Sequence, residues 1–77
     1  MSVIVFGMEN CAGCVTVKTL LKQNGISFTE MDVMNPDHMA EAQKHGIRGV
    51  PTTIVGANVI VGSSPREIQW IRNAVGI

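Results

Sequence analysis

Charge is scarce in this 77-residue sequence and favours neither sign: six lysines and arginines balance six aspartates and glutamates, and charged residues make up only 16%. A nucleic-acid binder normally carries a basic excess and a polybasic membrane patch requires one, so the balance argues against both. Long apolar runs are also missing. Val3 to Phe6 is four residues, too short for a secretion-signal core or a membrane span, which leaves the cytoplasm as the expected location. The length leaves no room for a cofactor domain, and residues 1–77 read as a single domain. Such a chain buries only about 60% of its unfolded surface, so its core is thin. What it does have is apolar residues, at 45%, too many for a disordered chain.

Cysteine is nearly absent as well, and its placement is the informative part of the composition. Cys11 and Cys14 form a C-A-G-C pair. A disulfide closing so small a loop removes little unfolded-state entropy, so a purely structural bridge would be poorly placed here. A structural zinc site needs four ligands, and beyond the pair the chain offers only His38 and His45, whose spacing of seven does not fit the usual finger. The pair reads first as a redox dithiol. Ligation of a metal or cluster and inert thiols are the alternatives.

Read in order, the chain supplies a context. Val3 to Phe6 is a continuous β-branched and apolar run, the pattern of a central strand buried on both faces. After the break at Gly7 to Asn10, Cys14, Val17 and Leu21 share one helical face, with Leu20 alongside, until Asn24-Gly25 stops the helix. Phe28 to Val33 alternates as a second strand with one wetter face, completing a βαβ unit with parallel strands. Asn35-Pro36-Asp37 has the form of a helix start, and Lys44-His45-Gly46 that of a stop, giving a short helix from Pro36 to His45. Pro51 then opens Thr52 to Val55, which pairs through Gly56-Ala57-Asn58 with Val59 to Val61 as a hairpin. Ser64 and Glu67 have capping-box spacing before a last helix with Ile68, Ile71 and Val75 as its apolar stripe. The order is βαβαββα.

With V-I-V-F before C-A-G-C, M-D-V, G-V-P-T and G-S-S-P-R-E-I at these places, the whole chain resembles the thioredoxin superfamily and, within it, the glutaredoxin family. The resemblance implies an α/β thioredoxin fold: a four-stranded mixed sheet flanked by three helices. Gly62, Pro65 and Ile68 match the tail of NrdH-type redoxins, small glutaredoxin-like electron donors to ribonucleotide reductase, while Ser63 and Ser64 depart from it. Gly46 to Thr52, G-I-R-G-V-P-T, is similar to thioredoxin itself. Glutaredoxins that bind glutathione typically carry a lysine three residues before the first cysteine, a C-P-Y-C pair and a G-G-x-D run. Met8, Ala12, Gly13 and the stretch Gly62 to Pro65 stand there instead, so the cation, ring and acid that grip glutathione are missing.

At the start of a helix, the unpaired N–H groups near Ala12, Gly13 and Cys14 and the positive end of the dipole favour a thiolate at Cys11. Cys11 is therefore the expected nucleophile and Cys14, one turn on and more buried, the resolving thiol. Gly13 leaves the pair uncovered for a bulky partner. By the resemblance, Pro51 is cis and faces the cysteines, and Val50 offers its main chain to an extended substrate segment. Val50, Pro51, Gly13 and Gly62 are thus the expected substrate-binding residues.

The function expected is a thiol-disulfide oxidoreductase that reduces protein disulfides such as that of ribonucleotide reductase, itself reduced by thioredoxin reductase or glutathione. No cofactor beyond the Cys11–Cys14 disulfide and no metal is expected, and the chain reads as a monomer. The alternative is a glutathione-dependent iron-sulfur carrier with Cys11 as ligand. Other residues have plainer readings: His38, His45 and Lys18 as solvated helix side chains, Arg48 as a surface arginine or a guide for an acidic partner, and Met31, Met34 and Met39 as fillers of core gaps. Trp70 either caps the core or lies on the surface. Glu9, two residues before Cys11, would oppose a thiolate, with no clear cation nearby in sequence to offset it.

Overall fold

A computed structural model describes residues 2–77. Strand β1 (Val3–Gly7) lies in the interior of a four-stranded sheet of order β2-β1-β3-β4. It pairs in parallel with β2 (Thr29–Asp32) and antiparallel with β3 (Thr52–Val55), which pairs antiparallel with β4 (Asn58–Val61). Helix α1 (Ala12–Gln23) joins β1 to β2, α2 (Pro36–Lys44) joins β2 to β3, and α3 (Pro65–Val75) follows β4. This is the thioredoxin fold that the resemblance implies.

Because side chains alternate across a strand, β1 feeds two cores. Val3 and Val5 point to one face, where Val17 and Leu21 of α1 and Ile71 and Val75 of α3 are buried against them. Phe6 points to the other face and meets Ala42 of α2 and Ile54 of β3. The two valines of β4 that share this second face, Val59 and Val61, remain exposed. On the first face the hydroxyl of Thr53 is buried without a hydrogen-bond partner.

Boundaries follow local chemistry. β2 is shorter than the expected Phe28 to Val33. Phe28 leaves the ladder to pack on the α1 side, and the Asp32 carboxylate accepts the Met34 N–H at 2.8 Å, turning the chain toward α2. Asn35 caps α2 by accepting from the Asp37 N–H at 2.9 Å, and the helix closes at Lys44 with His45 as its C-cap. At α3 the Glu67 carboxylate reaches back to accept from the Ser64 N–H at 3.2 Å and from the Ser64 hydroxyl. Gly76 ends that helix in the left-handed region, at φ 80°.

Several side chains differ from their sequence reading. Met31 packs on the second core, but Met34 is 66% and Met39 45% exposed, since one lies on the turn after β2 and α2 buries only Ala42. His38 is no free solvated side chain: its Nδ1 accepts the Asp32 N–H at 3.0 Å and straps α2 to the end of β2. His45 is exposed, its ring tilted against Phe6 at 6.0 Å. Lys18 forms an ion pair with Glu30 across α1 and β2. Trp70 lies on the surface under the Arg66 guanidinium, 5.2 Å from the ring centre, a contact worth about 0.5–1 kcal/mol at an exposed site.

Candidate active site

The cysteines sit where β1 gives way to α1. Asn10 takes a positive φ of 58° and Cys11 an extended conformation, so the chain enters the helix with Cys11 as its N-cap. A side chain at that position ordinarily supplies an oxygen to the first-turn amides. Here a sulfur does so: Cys11 Sγ accepts the Cys14 N–H at 3.1 Å. No acidic residue lies in this first turn. The two cysteines form a disulfide with their Cα atoms 5.2 Å apart. They are unequal in access, Cys11 being half-buried and Cys14 only 1% exposed. Gly7 helps to bury Cys14, since a Cβ there would come 3.1 Å from its sulfur.

Two segments converge on the spacer between the cysteines. The Val50–Pro51 peptide bond is cis, as the resemblance implied. Pro51 lies directly over the C-x-x-C spacer, its Cδ 3.1 Å from where a Gly13 Cβ would stand. Ser63 presses on the same point, so Gly13 is a glycine because proline and serine occupy its side-chain space. The loop before Pro51 is tied down by the Thr52 hydroxyl, which donates to the Gly49 carbonyl at 2.6 Å. Among the described residues, neither the N–H nor the C=O of half-buried Val50 takes part in a backbone hydrogen bond.

Gly62 stands one step back from the other expected binding residues. Its N–H donates to the Pro51 carbonyl at 2.8 Å, so that donor is already occupied. At φ 110°, a Cβ on Gly62 would approach Glu67 Oε1 to 2.9 Å. The glycine thus makes room for the buried carboxylate that caps α3. Hydrogen bonds from Ser64, then from Arg66 Nε at 3.1 Å, hold the Glu67 carboxyl below its ordinary value of 4.5.

Behind Cys14 lies an open cavity of about 290 Å³ whose lining includes Gly7, Glu9, Lys18, Glu30 and His38. Lys18 shares this lining with Glu9, but its ammonium is paired with Glu30 across the cavity. Its spacing of four from Cys14 on one helix was the available signal. Ser63 had no such signal, because only the hairpin brings it over Gly13. Among the described residues no group of three or more histidine, cysteine, aspartate or glutamate side chains could hold a metal ion, and no helix is long and apolar enough to cross a membrane.

The glutaredoxin family model matches residues 3–60. The chain belongs to the glutaredoxin family. Similar solved structures agree with this placing. The NrdH-redoxin of Escherichia coli is 25% identical, with a TM-score of 0.73 over 92% of this chain and 95% of that one. A glutaredoxin of Methanosarcina mazei Go1 is 28% identical, with a TM-score of 0.80 over 99% of this chain and 79% of that one. A variant of a thioredoxin-like protein, 23% identical, superposes with a TM-score of 0.84 over 99% of this chain and 96% of its own, and shows the fold alone. No curated protein matches in sequence. This member of the glutaredoxin family is an NrdH-like redoxin in its fold, and family and paired cysteines together make it a thiol-disulfide oxidoreductase.

Proposed function

We propose that this redoxin reduces protein disulfides with Cys11 as nucleophile and Cys14 as resolving thiol. The observation that carries the assignment is the asymmetry of the pair: an accessible sulfur at the N-cap, accepting a helix N–H at 3.1 Å, beside a buried one. In the reduced protein that amide and the helix dipole favour the Cys11 thiolate. The thiolate attacks one sulfur of the partner disulfide, forming a mixed disulfide and releasing the other partner sulfur as a thiolate. Cys14 then loses its proton and attacks Cys11 Sγ. The internal disulfide forms, the second partner thiolate leaves, and two electrons have passed to the partner.

Val50 and Pro51 are the substrate-binding edge, with Gly13 leaving the approach open and Gly62 supporting Pro51 from behind. The unpaired main-chain groups of Val50 support backbone pairing with an extended segment of the partner. Ribonucleotide reductase is the acceptor suggested by likeness to NrdH-type redoxins, and thioredoxin reductase or glutathione the reductant. The protein works as a cytoplasmic monomer without a further cofactor.

The test is turnover of a protein disulfide by wild type, Cys11→Ser and Cys14→Ser, driven in turn by thioredoxin reductase and by glutathione with its reductase. Cys11→Ser should abolish turnover. Cys14→Ser should stall as a mixed disulfide that is trapped and identified by mass. Activity retained without Cys11 overturns the nucleophile, and protein-disulfide turnover retained without Cys14 overturns the resolving role.

A further inference from the structure

Beside Val50 the surface opens into a second cavity, of about 310 Å³, between the turn after β1 and helix α2. Its walls are mostly apolar, from Met8, Val33, Met39, Ala42, Ile47 and Val50, with Gln43 as the one uncharged polar side chain. The methionines contribute more than bulk. Met8 and Met39 are 41% and 45% exposed, so each presents a flexible, polarizable thioether to whatever enters. Arg48 is the single charged residue in the lining, and it has no ion-pair partner among the described residues.

Position gives this cavity its meaning. Met8 also lines the surface groove that holds Cys11 and Cys14, and Val50 precedes the proline that lies over Gly13. The cavity therefore neighbours the disulfide groove, with Met8 lining both, and reaches the free main-chain groups at Val50. A segment that pairs with Val50 while its cysteine meets Cys11 must carry neighbouring side chains past the opening, because alternate residues of an extended chain point to one side.

We propose that this cavity is a specificity pocket that takes a large apolar side chain flanking the reactive cysteine of a protein substrate, with Arg48 favouring an acidic residue beside it. The inference rests on the protein-disulfide reading above and deepens it. Substrate choice then depends on burial against Met8 and Met39, and glutathione, whose residues flanking the cysteine offer no large apolar side chain, leaves the pocket empty.

The experiment uses redoxin reduced with excess dithiothreitol and desalted, in single-turnover reactions. Substrates are symmetric disulfide-linked dimers of a short acetylated peptide. Two versions place leucine or serine at the two positions on either side of the cysteine, each with a distal glutamate, and oxidised glutathione is the third substrate. Wild type should reduce the leucine peptide at least about 10-fold faster than the serine peptide, the scale on which an apolar pocket discriminates. It should also prefer the leucine peptide to glutathione. Met39→Asp should bring the leucine-to-serine ratio close to one, and Met39→Leu should keep it. Exchanging the distal glutamate for lysine should slow wild type more than Arg48→Gln.

Equal rates for the two peptides, a preference for glutathione, or a ratio unchanged in Met39→Asp each overturn the pocket. If sedimentation reveals a wild-type dimer that Met39→Asp dissociates, a second copy fills the cavity and the proposal also fails. Failure of wild type to reduce any of the three substrates would instead overturn the dithiol reading itself.

Discussion

The two faces of the sheet are built differently. On one, α1 and α3 together seal eight buried residues, among them Val5, Val17, Leu21 and Ile71, all fully enclosed. On the other, the nine-residue α2 covers only part of the sheet, and the buried apolar cluster is Phe6, Ala42 and Ile54. Polar straps supplement the apolar contacts there: His38 to the Asp32 amide, and Asn35 at the helix start. The contrast teaches where each kind of work is done. A well-packed face anchors Cys14 and the helix that polarises Cys11. The thinner face leaves methionines and an apolar cavity open beside Val50, at the place proposed for a partner.

The largest effect should come from opening the packed face. Leu21→Ala removes a fully buried side chain and leaves a cavity, so urea unfolding should report a loss of about 2–5 kcal/mol. Next is Gly62→Ala. It forces a side chain to φ 110° and against the Glu67 carboxylate, and should cost about 1–3 kcal/mol by the same measurement. On the thinner face, His38→Ala leaves the Asp32 N–H without its partner. A loss of about 1 kcal/mol is expected, with faster hydrogen exchange at that amide. A loss on the scale of Leu21→Ala would mean that α2 is as tightly integrated as α1.

The smallest effect is one of pH. Because the folded protein holds Glu67 below 4.5, the unfolded chain takes up its proton first. The capping carboxylate therefore contributes its stability above pH 4.5 and loses it as the pH falls through the folded value. The wild-type melting temperature should fall more between pH 6 and pH 3 than that of Glu67→Gln. Equal slopes would remove the cap from the account of the packed face.

Much of this was legible in the chain, because it depends on neighbours in sequence. The four-residue apolar run of β1, the Cys14-Val17-Leu21 stripe, and the Asn35-Pro36 and Ser64-Glu67 starts each state a local preference, and the fold satisfies them all. The pair Cys11 and Cys14 at a helix start was equally plain. The methionines and His38 were not. A methionine suits a core gap or an exposed pocket wall equally well, and only the shortness of α2 leaves Met34 and Met39 outside. His38 finds its partner six residues back on another element, and no periodicity records that reach.

By itself the sequence determined a neutral, small domain with one dithiol and the order of its elements, since composition, helix caps and strand patterns act over a few residues. Tertiary structure alone decided how that dithiol is dressed. Folding brings Pro51 and Ser63 over Gly13, sets Lys18 in the cavity behind Cys14, and opens the apolar cavity between Met8 and Met39. Those contacts join residues far apart along the chain. The sheet order β2-β1-β3-β4 fixes which of them meet.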